Sequence, residues 1–476
     1  MTPVRREPIV EPNRTYYDRS MLMTATIDLR TTGGVVTPGD PGYDEARAVY
    51  NAMIDRRPAA IARCRTVTDV QDVLAAARRT GLPVAVRGGG HSGPGFGTID
   101  DGLVIDLSPM SAIEVDADAR TARVQGGATL SALDAATHAH GLATPAGVVG
   151  STGVGGLTLG GGHGYLSRKY GLTIDNLISA QIVLADGRVV TASEDENPEL
   201  FWAIRGGGGN FGVVTSFTLR LHPVATVIGG PTAWPGAATG DILSWYRDFL
   251  PAQHEDLYGF FATMTVPPVA PFPEPFHLHK ACAIVWCYTG DPADAADAFA
   301  PVRAMQPAWD GTGEVPYPAL QASFDGLFPK GLQWYWRGDF FRTIPDQAVA
   351  EHARFAEAAP TPLSQMHLYP VDGAVHRVGA DATAWAQRDV TFSQVIVGVD
   401  PDPANAAAIS SWAKDYHDAL HPYSAGSGYL NFMMDEGQER VRATYGANYD
   451  RLSAAKQTYD PGNLFRTNQN IRPAQA

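Results

Sequence analysis

Half of the residues from Gly147 to Gly164 are glycine. An ordinary core has no use for so much bare backbone, since each glycine loses extra chain entropy on folding. An Arg-Gly-Gly-Gly-His-Ser run lies upstream at Arg87 to Ser92. Glycines let backbone N–H groups approach phosphate oxygens without interference from a Cβ. The upstream run also sets one imidazole, His91, at the mouth of such a loop. A large, flat, negatively charged ligand pressed against the main chain suits both features. Together they point to a flavin nucleotide tethered through His91.

Other glycine-loop chemistries fit less well. A Walker loop needs Gly-Lys-Ser/Thr, which is absent, and Thr158 stands where a dinucleotide fingerprint starting at Gly153 needs its third glycine. A serine-hydrolase elbow fails at Val149 and at Pro94. Tight turns and close packing could use some of these glycines, but a third cluster at Gly206 to Gly209 makes that reading insufficient. The pairs His138/His140 and His277/His279 have no third ligand nearby, so no metal is expected.

The formal net charge is −14, which disfavours nucleic acid or an anionic membrane as a general partner. Three cysteines, Cys64, Cys282 and Cys287, make no disulfide framework and suggest a reducing compartment. The first residues lack the apolar core of a signal peptide, and no apolar run spans a bilayer, so a soluble cytoplasmic protein is expected. Residues 1–34 read as an extension. Thr68 to Gln71 reads as a capping box opening a helix that Gly81 stops. Pro83 to Val86 reads as a strand leading into the first glycine loop, and Ile182 to Thr191 as a hairpin turning on Asp186-Gly187. Beyond Pro223 the tryptophans, prolines and alternating segments, such as Ala283–Cys287 and Phe392–Val399, predict an antiparallel sheet covered by helices. The fold class is α+β, with a cofactor domain at 35–225, a substrate domain at 226–437, and a segment at 438–476 returning to the first.

Seven stretches in order carry a resemblance: Pro38 to Tyr43, Arg87 to Ser92, Gly102 to Ser108, Gly153 to Gly164, Gly171 to Asn176, Arg205 to Val214, and Tyr459 to Asn470. From about Leu29 to Pro473 the chain resembles the berberine-bridge-enzyme-like FAD-linked oxidases, whose FAD-binding domain is of the PCMH type within the vanillyl-alcohol-oxidase fold group. The resemblance implies FAD, bonded through a ring nitrogen of His91 to the 8α carbon. It implies that Arg87, Gly88, Gly89, Gly90 and Ser92, with Gly150, Ser151, Thr152, Gly155 and Gly156, wrap the pyrophosphate. Asn176, Gly212 and Val214 align with the adenosine side, Asn468 and Asn470 with the isoalloxazine, and Gly162 belongs to the same cradle.

Three departures matter. Val149 stands where many relatives carry a second, cysteine tether, so a single link is expected. Phe432, in Tyr429-Leu-Asn-Phe432, replaces a tyrosine base, and phenylalanine takes no proton. His163 is the expected substitute, with Tyr335, Tyr369 and Gln394 as further candidates for proton transfer or substrate orientation. Thr152 occupies the position that gates oxygen in relatives, and a small residue there favours an oxidase. The expected reaction takes hydride from a C–H next to nitrogen or oxygen of an amine, secondary-metabolite alcohol or sugar. Oxygen, the expected electron acceptor, then yields hydrogen peroxide. A dehydrogenase using another acceptor and a non-catalytic flavin carrier are the alternatives, and the oligomeric state stays open.

Overall fold

The computed structural model describes residues 28–269 and 272–475. Most of the expected extension lies outside the described residues. The first sheet runs in the order β1-β2-β4-β3: β1 (Val35–Val36), β2 (Ala60–Arg63), β3 (Val84–Arg87) and β4 (Leu103–Asp106). Strands β2 and β3 both run parallel to β4, and the helix Val67–Thr80 makes the crossover. Its capping box is Thr66 with Asp69, two residues earlier than the sequence suggested. Asp69 decides this, because its carboxylate also accepts from Arg65 N and from Thr32. Val70, Val73, Leu74 and Ala77 turn into the core, and Gly81 ends the helix at φ 72°.

A five-stranded antiparallel sheet follows, in the order β5-β6-β10-β8-β9. It comprises β5 (Ile113–Asp116), β6 (Thr121–Gln125), β8 (Leu177–Val183), β9 (Val189–Ser193) and β10 (Val213–Arg220). The short β7 (Leu142–Ala143) pairs with β11 (His222–Pro223).

The third sheet has nine strands among the described residues, ordered β15-β12-β14-β13-β19-β20-β17, with β16 on β12 and β18 on β20. These are β12 (Thr226–Pro235), β13 (Leu257–Thr265), β14 (Lys280–Tyr288), β15 (Trp309–Asp310), β16 (Gly313–Pro316), β17 (Gln333–Arg337), β18 (Phe340–Phe341), β19 (Gln365–Pro370) and β20 (Phe392–Asp400). Alternation along each strand splits its two faces. On β14, Cys282, Ile284 and Trp286 pack with Leu243, Phe299 and Trp412 from covering helices. Its alternate residues Ala283 and Val285 face a cavity shared with the glycine loops.

The tail is fastened rather than loose. Buried Lys456 donates to Asn210 O, Phe465 O and Asp460 Oδ2 at 2.6–2.8 Å. Thr467 Oγ1 donates to Val84 O at 2.7 Å and Asn468 Nδ2 to Gly209 O at 3.1 Å, which brings the tail against the strand that feeds the first glycine loop and against the Gly206 to Gly209 cluster.

Candidate active site

Strand β3 delivers the chain into Gly88–Ser92, and the helix Val154–Leu159 begins beside it. A Cβ at Gly89 would collide with the backbone nitrogen of Gly153, and one at Gly155 would come within 2.8 Å of Gly126 O. Close packing of one loop on another therefore accounts for part of the glycine content. Gly156 and Gly209 are different: a Cβ at either would meet nothing within 4 Å, and both line the cavity. The cavity measures about 390 Å³, within the range of small-molecule sites. Its other walls come from Thr467, Asn468 and the inner face of the third sheet. Asn468 Oδ1 is buried there without a partner. Bare backbone at Gly156 and Gly209 beside an unsatisfied amide oxygen fits a bound FAD.

Of the residues expected at the cofactor, Arg87, Gly88, Gly89, Gly90, His91 and Ser92 line the cavity, as do Thr152, Gly155, Gly156, Gly212, Val214 and Asn468. Arg87 does so with its guanidinium spent on Asp106 Oδ2 at 2.9 Å and Ala46 O at 2.7 Å. Five expected residues do not line it. Gly150 is held by Asp325, whose Oδ1 accepts from its N–H at 2.7 Å. Ser151 acts through His91, its Oγ 2.8 Å from Nε2. Gly162 donates to the Tyr429 hydroxyl at 2.9 Å, at φ 75°. Asn176 is consumed by Tyr170 O, Leu172 O and His222. Asn470 bonds Gln438 through its carbonyl.

His91 stacks on Tyr50, ring centroids 3.9 Å apart. Its Nε2 is engaged by Ser151, while Nδ1 has only a 3.5 Å contact with Thr152 Oγ1. The surrounding protein pushes its pKa down to about 4, so the imidazole is neutral at pH 7. Val149 lines the cavity nearby.

Across the cavity, His163, Tyr369, Tyr429 and Phe432 form one aromatic cluster. The His163 ring lies 5.1 Å from Tyr369, 4.5 Å from Tyr429 and 5.4 Å from Phe432. Its Nε2 reaches Ser393 Oγ at 3.2 Å, and burial lowers its pKa to about 3. The ring therefore rests neutral near pH 7, with Ser393 occupying its Nε2. Tyr369 has a better partner. His367 Nδ1 lies 2.7 Å from the Tyr369 hydroxyl, and Nε2 lies 2.8 Å from Gln365 Oε1. With Gln365 accepting from Nε2–H, Nδ1 accepts the phenolic proton. Burial holds His367 at about 4 and raises the Tyr369 phenol, so both groups rest neutral. Residues 365, 367 and 369 share one face of β19, interleaved with Met366 and Leu368 on the other. That polar alternation was the missed signal in the sequence.

Tyr335 and Gln394 are not brought to the site, which corrects both expectations. On β17, Trp334 and Trp336 face the cavity, so Tyr335 points the opposite way, beneath Lys414. On β20, Val395 and Val397 face the cavity, while Phe392, Gln394 and Ile396 turn toward the helices. Elsewhere, Asp339, His417 and His421 converge within metal-ligand distance of one another, but Arg440 already pairs with Asp339.

The fold and the cavity define an FAD-binding oxidoreductase of the PCMH type. A family model described as FAD binding domain matches residues 58–193, and one described as Berberine and berberine like matches residues 428–472. The chain is 30% identical to an uncharacterised FAD-linked oxidoreductase of Bacillus subtilis, covering 93% of this chain and 98% of that one. It is also 30% identical to the (R)-6-hydroxynicotine oxidase of Paenarthrobacter nicotinovorans, over 94% and 98%. The crystal structure of 6-hydroxy-D-nicotine oxidase from Arthrobacter nicotinovorans superposes with a TM-score of 0.84 at 27% identity, covering 95% of this chain and 100% of that one. Berberine bridge enzyme from Eschscholzia californica shares the fold, with a TM-score of 0.83 at 21% identity over 93% and 97%. The chain belongs to the berberine-bridge-enzyme-like family of FAD-linked oxidoreductases.

Proposed function

We propose that this FAD-linked oxidoreductase works as an oxidase, holding its flavin through His91 alone. Bound FAD would supply a two-electron acceptor for hydride from a C–H next to nitrogen or oxygen, with oxygen as the final acceptor and hydrogen peroxide as the product. The observation that carries this reading is the Tyr369–His367–Gln365 chain on the cavity wall. Tyr369 stands 5.8 Å from Phe432, ring to ring, so the phenol missing from Phe432 is replaced from the sheet. Tyr369 takes the substrate proton as its own passes to His367 Nδ1, and Gln365 steadies the Nε2–H of the resulting cation. His163, neutral and bonded to Ser393, positions the cluster. At the opposite wall, with Ser151 holding Nε2 and only the long Thr152 contact on Nδ1, His91 would offer Nδ1 as the nucleophile, and Val149 leaves no second thiol. Thr152, 3.5 Å from His91 Nδ1, is the small residue that would leave a bound flavin accessible to oxygen.

Amines and alcohols both suit this machinery, and the relative named for 6-hydroxynicotine supports the amine. Three free, buried cysteines fit a reducing compartment. Among the described residues no helix is long and apolar enough to cross a membrane. The test is a screen of amines, alcohols and sugars with the holoprotein, first under nitrogen and then in air. Bleaching under nitrogen followed by peroxide in air is expected. Bleaching without peroxide would make it a dehydrogenase, and no bleaching with any compound would make it a flavin carrier.

A further inference from the structure

The sheet register lines up one row of residues leading away from His367. His367 on β19 pairs with Ala262 on β13, which pairs with Ala283 on β14, which pairs with Ala233 on β12, which pairs with Trp309 on β15. All five line the cavity. Neighbouring strands lie ~4.8 Å apart, so the row spans roughly 19 Å. The row on one flank is taller, with Phe260, Val285 and Pro231; on the other, Met264 stands beside a further alanine, Ala281. Three consecutive methyl side chains, widened by Ala281 and bounded by Phe260, Val285, Pro231 and Met264, make a shallow trench. Trp309 stands at its far end with the Phe272 ring 5.5 Å away. Between His367 and Trp309 the row offers only methyl side chains, none of which donates or accepts a hydrogen bond.

Resting on the proposed oxidation at Tyr369, we infer that the alanine trench receives an apolar tail of the substrate. The substrate is then an elongated molecule, with its polar reacting carbon at the His367 end and a hydrocarbon or aromatic extension reaching toward Trp309. A sugar ring laid in the trench would strand its hydroxyls without partners, which is costly. Each methylene withdrawn from water tightens binding by ~4-fold.

The probes are benzylamine and its 4-ethyl, 4-butyl and 4-octyl derivatives, with cellobiose as the hydrophilic comparison. Binding is read under nitrogen from the shift in the flavin spectrum of the holoprotein. The expected result is a Kd that falls by at least ~10-fold from ethyl to butyl, with no cellobiose signal. Ala283→Phe should flatten the dependence on chain length, and Ala233→Leu should flatten it only for the octyl probe. A normal flavin spectrum shows that each variant has folded. A Kd indifferent to chain length, no binding by any alkyl probe, or tighter binding of cellobiose overturns the trench. Chain-length-dependent binding without bleaching would instead sustain the trench and refute the oxidation chemistry.

Discussion

Replacing Tyr369 with phenylalanine removes one oxygen and keeps the ring. The lost group is the phenol 2.7 Å from His367 Nδ1, and the ring's contacts with Phe260, His163 and Phe432 survive. His367 then loses a donor, which costs ~1–3 kcal/mol of stability, too little to unfold the chain. Positioned proton transfer contributes ~10²–10⁴-fold, so transfer of electrons from substrate should slow by at least ~100-fold, or ~2.7 kcal/mol of barrier. His163→Asn is the companion variant. Because its Nε2 is spent on Ser393 and its Nδ1 bonds no partner, whereas His367 holds the Tyr369 hydroxyl, His163 stands outside the relay and the loss should stay below ~10-fold. The assay is single-turnover bleaching of the flavin under nitrogen. His367 must be neutral to accept a proton and stays so down to about pH 4. The parent rate should therefore hold level near neutrality and fall only as pH drops toward about 4. If Tyr369→Phe bleaches within ~3-fold of the parent, or His163→Asn is the slower variant, the proton does not go to Tyr369.

Three further outcomes follow from the geometry. Gly156→Ala should fold normally but load less FAD, since its new methyl enters the open cavity, whereas Gly89→Ala should lower the melting temperature by driving the two loops apart; flavin content and thermal unfolding separate the two. Lys456→Met leaves Asp460 buried without its cation and should cost ~3–5 kcal/mol in denaturant unfolding, loosening Asn468 and with it the flavin. Burial holds His91, His163, His222, His352 and His367 at about 3 to 4. Below about 6.5 the unfolded chain gains protons that the folded one refuses, so the melting temperature should fall as pH drops from about 6.5 toward 4. A profile that is flat over that window would contradict the buried neutral rings.

The cofactor half of the site was legible because its demands are local. Arg87 to Ser92 need particular residues at particular positions and line the cavity, whereas Gly150, Ser151, Gly162, Asn176 and Asn470 are taken up by partners elsewhere in the fold. The sheet half was less legible. Alternation shows that β20 has two faces but not which one meets the cavity, so the sequence favours Gln394 although its neighbour Ser393 is the one that reaches His163. Tyr335 failed for the same reason, between Trp334 and Trp336. The polar residues Gln365, His367 and Tyr369 at alternate positions could have been read as one face of a strand. Their convergence with Phe432 depends on the chain returning from a different element, which spacing alone does not encode. Some glycines also proved to serve packing, as Gly89 against Gly153 shows.

The most direct test is mass spectrometry of the proteolytic peptide containing His91, taken from yellow protein purified without added cofactor. The account predicts that this peptide carries the mass of one FAD less two hydrogens, and that the peptide containing Val149 is unmodified. Yellow protein whose His91 peptide has its plain mass would contradict it.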